Sequence, residues 1–514
     1  MPYRKAAEWS EDMNIAWSQP FNDYIEQQTG INPDAMKKFF SEFHEHCQLR
    51  HSEKIKLWED FEKAILYYSH IGIPLEQALR LLDIKYLGDF YEELSKRWFP
   101  LDDAAKLYPL SMERRRMSTY RMSVYFKENV VPELLQMALN FTIKRFPSFA
   151  TTLKKGFFWH YLDMTKRRFC IEPEIDIPCQ PIKVAYSGSQ SFRVLYYKNR
   201  ISIECFHALS DGLGAVNLII SLTAEYLRLT GKEILLDETV LDINSAPNEA
   251  EFENAFKKAY AKMPQEREFS PIVNKAAVQM RGKLTPNKPC RIIHLKMNAA
   301  ELKAVSRKYH TTVARYLMAL TFLAGKAAAA ESTGNINIQV PVNLRRYYPS
   351  KTLFNFVLPC RICLPMEEID DLQSVIAEIN KQMKLKTSKK AMNEALASTE
   401  RLINLVKYVP LALKRPAAKI GYGFLGDRAY TTILSDLGVI RMPPSVSKHI
   451  ERMDGMIGAS ITHRARCVSV TFNNITTLSI TKATIDPTFE EKMYELIRSD
   501  SIAVEAEGSE IYGN

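Results

Sequence analysis

The sequence has few cysteines and glycines, and it has no long uncharged apolar run. Its eight cysteines are scattered from Cys47 to Cys467 over 514 residues. This spacing does not resemble a disulfide framework, and it suits a reducing compartment. The 19 glycines and 25 prolines exclude collagen-like and low-complexity classes. The most apolar stretch, from Tyr316 to Ala330, contains Lys326 and is too short to span a bilayer.

The sequence also lacks the features of a secretory leader and several common nucleotide-binding and hydrolase motifs. The N-terminus reads Met-Pro-Tyr-Arg-Lys and then turns acidic, without the apolar core or cleavage site of a secretory leader. We therefore expect a cytoplasmic protein with no transmembrane segment. The sequence has no Walker loop, G-x-G-x-x-G or G-x-S-x-G motif. Nucleotide hydrolysis, dinucleotide redox chemistry and an α/β-hydrolase site are thus unsupported.

The composition is that of a globular protein with a basic balance. The hydrophobic fraction is 46% and the charged fraction 25%, both near globular averages. The length predicts two to four packing units at roughly 150 residues each. Lys+Arg number 69 against 59 Asp+Glu, giving a net charge of +10. The basic clusters are short and dispersed, and none lies on a nucleic-acid-binding motif, so we expect no nucleic-acid partner.

The first part of the chain, residues 1–106, is predicted to be an all-helical extension. Trp58, Phe61, Ile65 and Tyr68 recur with the spacing of an amphipathic helix face. A further helix is predicted around 89–98, and no strand pattern is visible.

From residue 107 the pattern becomes mixed. Alternating apolar residues from Tyr120 to Phe126 predict a half-buried strand, and a long helix is predicted over 213–230. A polar stretch at 237–268 has the character of a crossover or linker. The second half repeats the mixture, with a strand expected at 457–462 and a closing helix near 489–497. We therefore predict an α/β (α+β) fold in two lobes, 107–285 and 286–514.

One segment carries recognisable chemistry. In the strand Ile201–Phe206 and the residue after it, Ile201, Ile203, Cys205 and His207 share one face. The strand therefore delivers His207 from an inward-facing surface, where its pKa can be tuned for use as a general base. Asp211 is better placed to hold the following loop through a cation or backbone donors, and Gly212 permits the bend. The alternative is a satisfied buried histidine followed by a Ser-Asp helix cap.

This segment, with His207, Asp211 and Gly212, resembles the H-x-x-x-D-G signature of the chloramphenicol-acetyltransferase-like acyltransferase superfamily, which includes alcohol acetyltransferases and peptide-synthetase condensation domains. The flanks agree. Val340–Arg345 resembles the second-lobe strand that ends in Asn/Asp-x-Arg, and Thr352–Phe356 resembles the stretch after it. Ser435–Gly438 resembles the late S-N-x-G segment, with Asp436 where asparagine is usual. The resemblance covers roughly residues 107 to 500.

The resemblance implies a two-lobed acyltransferase with a tunnel between the lobes and His207 at its middle. His207 would be the general base for acyl transfer from a thioester to a hydroxyl acceptor, and Arg345 would pair with Asp211. Ser435 and Asn343 are candidates for oxyanion or tunnel roles. No metal and no bound cofactor is expected, since acyl-CoA or a phosphopantetheinyl thioester would be a co-substrate.

The sequence leaves three functions open. The first is an alcohol-acetyltransferase-like enzyme that uses acyl-CoA and a small-molecule acceptor. The second is a condensation-type enzyme that takes its donor from an acyl carrier protein and forms an amide or ester. The third is a non-catalytic binding module on the same fold. The positive net charge suits either the phosphates of CoA or an acidic carrier.

Two groups of cysteine and histidine residues have spacings that resemble metal or redox sites. His44, Cys47 and His51 would share a face if one helix ran through them, but a zinc site would need another ligand. Cys360 and Cys363 have redox-motif spacing. They lie in an alternating strand pattern that puts them on opposite faces, so packing is the expected role.

Overall fold

The computed structural model describes residues 17–28, 32–91, 98–112, 118–165, 167–182, 190–263, 276–285, 289–416, 418, 427–458 and 463–508. Within these residues the chain forms two lobes, each with a β-sheet and covering helices, and a helical extension packed on the first lobe. The mixed α/β architecture in two lobes agrees with the prediction from the sequence.

The strands fall into three sheets. In chain order they are β1 (Trp98–Pro100), β2 (Thr119–Phe126), β3 (Thr151–Lys155), β4 (His160–Met164), β5 (Ile171–Pro173), β6 (Phe192–Tyr197), β7 (Arg200–Phe206), β8 (Arg291–Asn298), β9 (Asn335–Asn343), β10 (Val357–Pro365), β11 (Thr432–Val439), β12 (Ile450–Ile457), β13 (Ala465–Phe472), β14 (Ile475–Lys482) and β15 (Val504–Glu507). The sheet orders are β1-β4-β3, β12-β2-β7-β6-β5 and β10-β9-β11-β13-β14-β8-β15.

The longer helices cover these sheets or form the extension. They are Gln19–Glu26, Asn32–His46, His51–His70, Leu75–Leu81, Pro132–Thr142, Gly212–Leu229, Ala255–Ala261, Ala299–Lys308, Val313–Ala327, Leu372–Lys386, Lys389–Leu405 and Thr488–Ser499. Among the helices in the described ranges, none combines the length and apolar character needed to cross a bilayer.

The five-stranded sheet of the first lobe presents the candidate histidine. β2 and β7 pair antiparallel in a register that sets Thr119 opposite Phe206. The sequence predicts that β2 is half-buried, but all eight of its residues are buried. The face of β2 that was expected to be solvated is covered as well, because Arg121 donates there to both carboxylate oxygens of Glu174 (2.7 and 2.5 Å) and also to Glu204. Charged residues satisfied by such pairs can be buried where unpaired charges cannot.

The edge of that sheet comes from the far end of the chain. β12 pairs antiparallel with β2, so that Met453 lies opposite Val124. The sequence predicts a strand at 457–462, which is wrong in its bounds because β12 begins at Ile450 and ends at Ile457; residues 459–462 lie outside the described residues. The structure also contains β14 and β15, which the sequence analysis did not identify.

The helical extension is joined to the first lobe by a continuous apolar core and by polar contacts. Tyr68 is buried and its hydroxyl donates to the carbonyl of Leu229, at 2.6 Å, at the end of the helix Gly212–Leu229. Asp60 accepts two hydrogen bonds from Arg168 at 2.6 and 2.7 Å. The extension is therefore part of the first lobe's packing and not a tethered appendage.

The last part of the extension is not the helix that the sequence predicts around residues 89–98. The helix expected around 89–98 is wrong at its far end, because Trp98 begins the strand β1, which pairs with β4. Residues 84–91 form two short stretches of 3-10 helix on either side of a kink at Gly88 (φ +56°), and residues 92–97 lie outside the described residues. After β1, residues 101–111 run along the candidate site.

Candidate active site

His207 follows β7 directly and is held by the neighbouring strand. Its backbone N–H donates to the carbonyl of Ser118, at 2.8 Å, just before β2. Its ring stacks on Tyr108, with centroids 4.6 Å apart and planes inclined by 17°, and tilts against Tyr120 at 5.0 Å. The residues of β7 are buried, whereas His207 keeps an intermediate exposure. The strand therefore presents a fixed imidazole that is still partly accessible.

The electrostatic setting keeps this imidazole neutral. Burial lowers the pKa of His207 below its ordinary value, and the positive charge of Arg466 lowers it further. The hydrogen bonds of the ring and the carboxylate of Asp211 act in the opposite direction without cancelling the shift. A neutral histidine at physiological pH is the form that can accept a proton.

Asn355 determines which ring nitrogen of His207 carries the proton. Its side-chain NH2 group donates to the carbonyl of His207 at 3.0 Å and to Asp102 Oδ2 at 3.2 Å. Its Oδ1 therefore faces His207 Nδ1, 2.9 Å away, as an acceptor. Nδ1 is then the protonated nitrogen, and the lone pair is on Nε2.

Asp102 is the residue that fixes the amide of Asn355. It is fully buried and accepts three hydrogen bonds: from the N–H of Asn355 at 3.1 Å, from the Asn355 side chain, and from the N–H of Ala105 at 2.7 Å. Burial raises the pKa of its carboxyl from 3.8 to about 7, although these donors act in the opposite direction. Asp102, Asn355 and His207 thus form a connected relay.

Sequence reasoning missed Asp102 and gave Asn355 no role. Asp102 belongs to the segment that the sequence predicts as a helical extension, and its contact with Asn355 spans 253 residues. The one available signal was the pair of acidic residues, Asp102 and Asp103, inside an apolar stretch that begins at Phe99. Such carboxylates need partners when they are buried.

Asp211 holds the turn after His207, as its position in the sequence predicts. Its Oδ1 accepts from the N–H groups of Leu213 (3.1 Å) and Gly214 (3.4 Å), which caps the helix Gly212–Leu229. Its Oδ2 accepts from Arg345 Nη1 at 2.7 Å and from the N–H of Phe356 at 2.9 Å. Asp211 does not reach the ring of His207 and acts on the backbone around it.

Arg345 joins the second lobe to this turn. Besides its bond to Asp211, its Nη2 donates to the carbonyls of Thr352 and Phe354, both at 2.8 Å. Asn343, proposed from the resemblance for an oxyanion or tunnel role, instead accepts the backbone N–H of Arg345 at 3.0 Å and a weaker bond from its guanidinium. Its side-chain oxygen therefore positions Arg345.

The lack of a side chain matters more at Gly214 than at Gly212, because neighbouring atoms lie closer to Gly214. Gly212 is the first residue of the helix and does not have a positive φ. A Cβ there would meet only the side chain of Leu437, at 2.9 Å. At Gly214, a Cβ would lie 2.4 Å from the carbonyl oxygen of Leu353 and 2.0 Å from Ser210 Oγ. The helix can approach the second lobe only because Gly214 has no side chain.

Ser435 lies on β11, two residues before the Leu437 side chain that borders Gly212. The strand carries an irregularity between Asp436 and Val439, where Gly438 has φ +68°. This places the Ser435 segment beside the turn that follows His207. Its role as an oxyanion donor stays a prediction.

The other groupings do not form ligand sites. The helix through His44 ends at His46, and His51 begins the next helix, so no single helix runs through His44, Cys47 and His51. Within the described parts of the chain, no group of three or more His, Cys, Asp or Glu side chains is placed to hold a metal ion. Cys360 is buried and Cys363 half-buried on the alternating strand β10, and both are free thiols.

Comparison with known proteins identifies the fold. Neither protein-family models nor curated protein sequences match the chain. Among solved structures, TRI101 of F. sporotrichioides, complexed with coenzyme A and T-2, is similar with a TM-score of 0.54 at 9% identity, covering 80% of this chain and 99% of that one.

Two further structures are similar at 12% identity with a TM-score of 0.52. The TRI3 trichothecene 15-O-acetyltransferase of Fusarium sporotrichioides covers 79% of this chain and 94% of its own. Polyketide synthase associated protein 5 of Mycobacterium tuberculosis covers 78% and 97%. At these identities the similarity shows the fold alone: the chain has the two-lobed fold of the chloramphenicol-acetyltransferase-like acyltransferases.

Proposed function

We propose that the protein is an acyltransferase that moves an acyl group from a thioester donor to a hydroxyl acceptor, with His207 as the general base. The observation that carries the proposal is the relay from Asp102 through Asn355 to Nδ1 of His207. It leaves the Nε2 lone pair of a neutral imidazole on a partly exposed ring. A histidine that served only in packing would be fully buried, as His294 is, whereas His207 keeps partial exposure.

The chemical step follows from this arrangement. Nε2 of His207 takes the proton of the acceptor hydroxyl as its oxygen attacks the thioester carbonyl, and a tetrahedral intermediate forms without a covalent bond to the protein. The C–S bond then breaks, and the imidazolium returns the proton to the departing thiolate. The ester and a free thiol are the products. Much of the rate gain comes from holding donor and acceptor together at the base.

Ser435 is our candidate for stabilising the oxyanion of that intermediate. Its support is position, because β11 runs beside the turn that follows His207. Donors aimed at the developing charge contribute strongly to acyl transfer. Asp211, Gly212 and Arg345 have a different role, since their contacts hold the turn and the junction between the lobes.

We propose acyl-CoA as the donor and a small-molecule alcohol as the acceptor. The support is the similarity to TRI101, which was crystallised with coenzyme A, and to a trichothecene O-acetyltransferase. A second candidate donor is a carrier-protein thioester. It is supported by the similarity, over 97% of that chain, to a protein whose name associates it with a polyketide synthase.

Release of free thiol tests the function. The purified chain is incubated with a series of acyl-CoAs and alcohols, and His207→Ala is compared with His70→Ala, an exposed histidine at the end of the helix His51–His70. We expect thiol release by the wild type and by His70→Ala and none above background by His207→Ala. Release that survives in His207→Ala would refute the assignment of the base.

The same assay separates the donors. If loaded carrier proteins support turnover and free CoA thioesters do not, the second donor is correct. If neither supports turnover with any acceptor, the chain is a binding module on an acyltransferase fold.

A further inference from the structure

Two segments of the chain form one exposed surface that the proposed reaction does not use. The first is residues 154–159, which comprise the end of β3 and the turn that leads to β4. The second is residues 401–415, at the end of the helix Lys389–Leu405 and just after it. We call this surface the apolar-basic patch.

The two segments are joined by direct contacts. The N–H of Leu411 donates to the carbonyl of Phe157 at 2.9 Å, and Lys414 Nζ donates to the carbonyl of Phe158 at 2.8 Å. The rings of Phe158 and Tyr408 lie edge to face at 6.0 Å. The relative position of the two segments is therefore fixed by hydrogen bonds and a ring contact.

Large apolar side chains project from the patch into solvent. Phe157 is 72% exposed, Leu405 81%, Tyr408 72% and Leu413 65%. Single exposed apolar residues are ordinary, but a contiguous group edged by polar residues marks a surface that binds a protein or a membrane. Aromatic residues at a turn, beside leucines, suit the boundary between lipid headgroups and acyl chains.

The charge of the patch has one sign. Neither segment contains an aspartate or a glutamate, and together they carry six cations: Lys154, Lys155, Arg401, Lys407, Lys414 and Arg415. Lys414 is buried and packs its ammonium 3.3 Å from the centre of the Trp159 ring, where it holds the segments together. Lys155, Arg401 and Lys407 are exposed among the apolar side chains.

From this combination we propose that the apolar-basic patch docks the protein on the surface of an anionic lipid bilayer. The exposed Phe and Leu side chains would enter the interfacial region, and the cations would contact negative headgroups. A bilayer meets both requirements over one face. An acidic protein groove would also have to match four projecting apolar side chains individually.

Docking in this way would bring the candidate site close to the membrane. Lys106 Nζ lies 5.7 Å from the centre of the Trp159 ring, and Arg415 donates to the carbonyl of Met112 at 3.4 Å. Between these two contacts lies Tyr108, which stacks on His207. The patch and the histidine thus contact the same short segment of chain, residues 106–112.

Vesicle sedimentation tests the proposal without any turnover, so its outcome is independent of the proposed reaction. The full chain is mixed with phosphatidylcholine vesicles and with vesicles that also contain about 30% phosphatidylserine, at low ionic strength. We expect sedimentation with the anionic vesicles, its loss at high salt, and at least tenfold weaker binding for Phe157→Ser/Leu405→Ser and for Lys155→Glu/Lys407→Glu.

The matched control is Ile175→Ser, which removes an equally exposed apolar side chain (76%) after β5, outside the patch. It should bind as the wild type does. All variants are compared by thermal melting, and because the changed side chains are exposed, we expect wild-type melting temperatures. Failure of the wild type to bind, equal binding to neutral vesicles, or unchanged binding of both patch variants overturns the proposal. The proposal is also overturned if light scattering shows that the wild type forms an oligomer and that the patch variants do not, because the patch would then join copies of the chain.

Discussion

Replacing Asp102 by asparagine keeps the size of the side chain but removes the acceptor that fixes the relay. The carboxylate accepts Ala105 N–H through Oδ1 and two Asn355 donors through Oδ2. Asparagine has one acceptor oxygen, so one of these sides would meet an NH2 group. The network that holds Asn355 loses acceptor contacts in either orientation: the Ala105 bond that fixes the side chain at position 102, or the bonds to Asn355 itself. The amide of Asn355 is therefore held less firmly towards His207. We expect kcat for thiol release to fall roughly tenfold to a hundredfold, as for other groups that orient a functional histidine.

The raised pKa of Asp102 also makes the stability of the wild type depend on pH in a way that the stability of Asp102→Asn does not. Burial raises this pKa from 3.8 to about 7, so the folded state disfavours the carboxylate. The stability that the protonated group contributes is present at low pH and is lost as pH rises through about 7. Between about pH 5 and 8 this loss amounts to roughly 2.5 kcal/mol in the wild type. Asparagine does not titrate, so Asp102→Asn should gain roughly that much relative to the wild type over the same interval.

Urea unfolding at several pH values and the pH profile of kcat/KM test both effects. In the wild type, activity should fall below about pH 7 as Asp102 is protonated. In Asp102→Asn the fall should occur at lower pH, where His207 is protonated, because burial lowers the pKa of His207.

Asp103→Asn is the control, since this adjacent carboxylate pairs with Lys106 and does not reach the relay. It should keep an acidic limb set by Asp102, moved somewhat to lower pH, because the negative charge of Asp103 contributes to the raised pKa of Asp102. If the activity and stability profiles of Asp102→Asn run parallel to those of the wild type, the relay is refuted.

Three further changes test the framework around the site. Arg345→Ala leaves the Asp211 carboxylate and the carbonyls of Thr352 and Phe354 without their donor, and should lower the free energy of unfolding in urea by about 3–5 kcal/mol. A loss below about 1 kcal/mol would contradict the role of this ion pair. Gly214→Ala places a Cβ 2.4 Å from the Leu353 carbonyl and should cost about 1–3 kcal/mol, seen as a lower Tm, whereas an unchanged Tm would show that the lobes can separate there. Tyr68→Phe removes the buried bond to Leu229 and should cost about 1 kcal/mol with kcat unchanged; a lower kcat would mean that the extension acts on the site.

The sequence predicts well those features that local patterns encode. The helix Gly212–Leu229 has a polar cap at Asp211 and ends before Gly231, which has φ +80°. Its predicted bounds, 213–230, differ from the structure by one residue at each end. The two-lobed α/β architecture also follows from local patterns, because strand and helix periodicities alternate along both halves of the chain.

The features that depend on distant partners were harder to predict. The contact between Asp211 and Arg345 spans 134 residues and was found only through the resemblance. The relay to Asp102 lies partly outside the resembling region, and no periodicity marks a carboxylate in a loop. The burial of β2 on both faces depends on Glu174 and Glu204 as partners for Arg121, and neither is visible as a partner in the sequence.

The position of β12 has a consequence for how the chain folds during synthesis. The first-lobe sheet needs β12 beside β2, and the Tyr125 hydroxyl bonds to Asp454, which lies 329 residues later. At about 5–20 residues per second, β2 would wait roughly 15–65 s on the ribosome for its neighbour. During that interval its open edge is a template for pairing with other strands. Slowing release of the C-terminal segment should therefore increase aggregation of the nascent chain, even though every residue of the histidine motif has already been made.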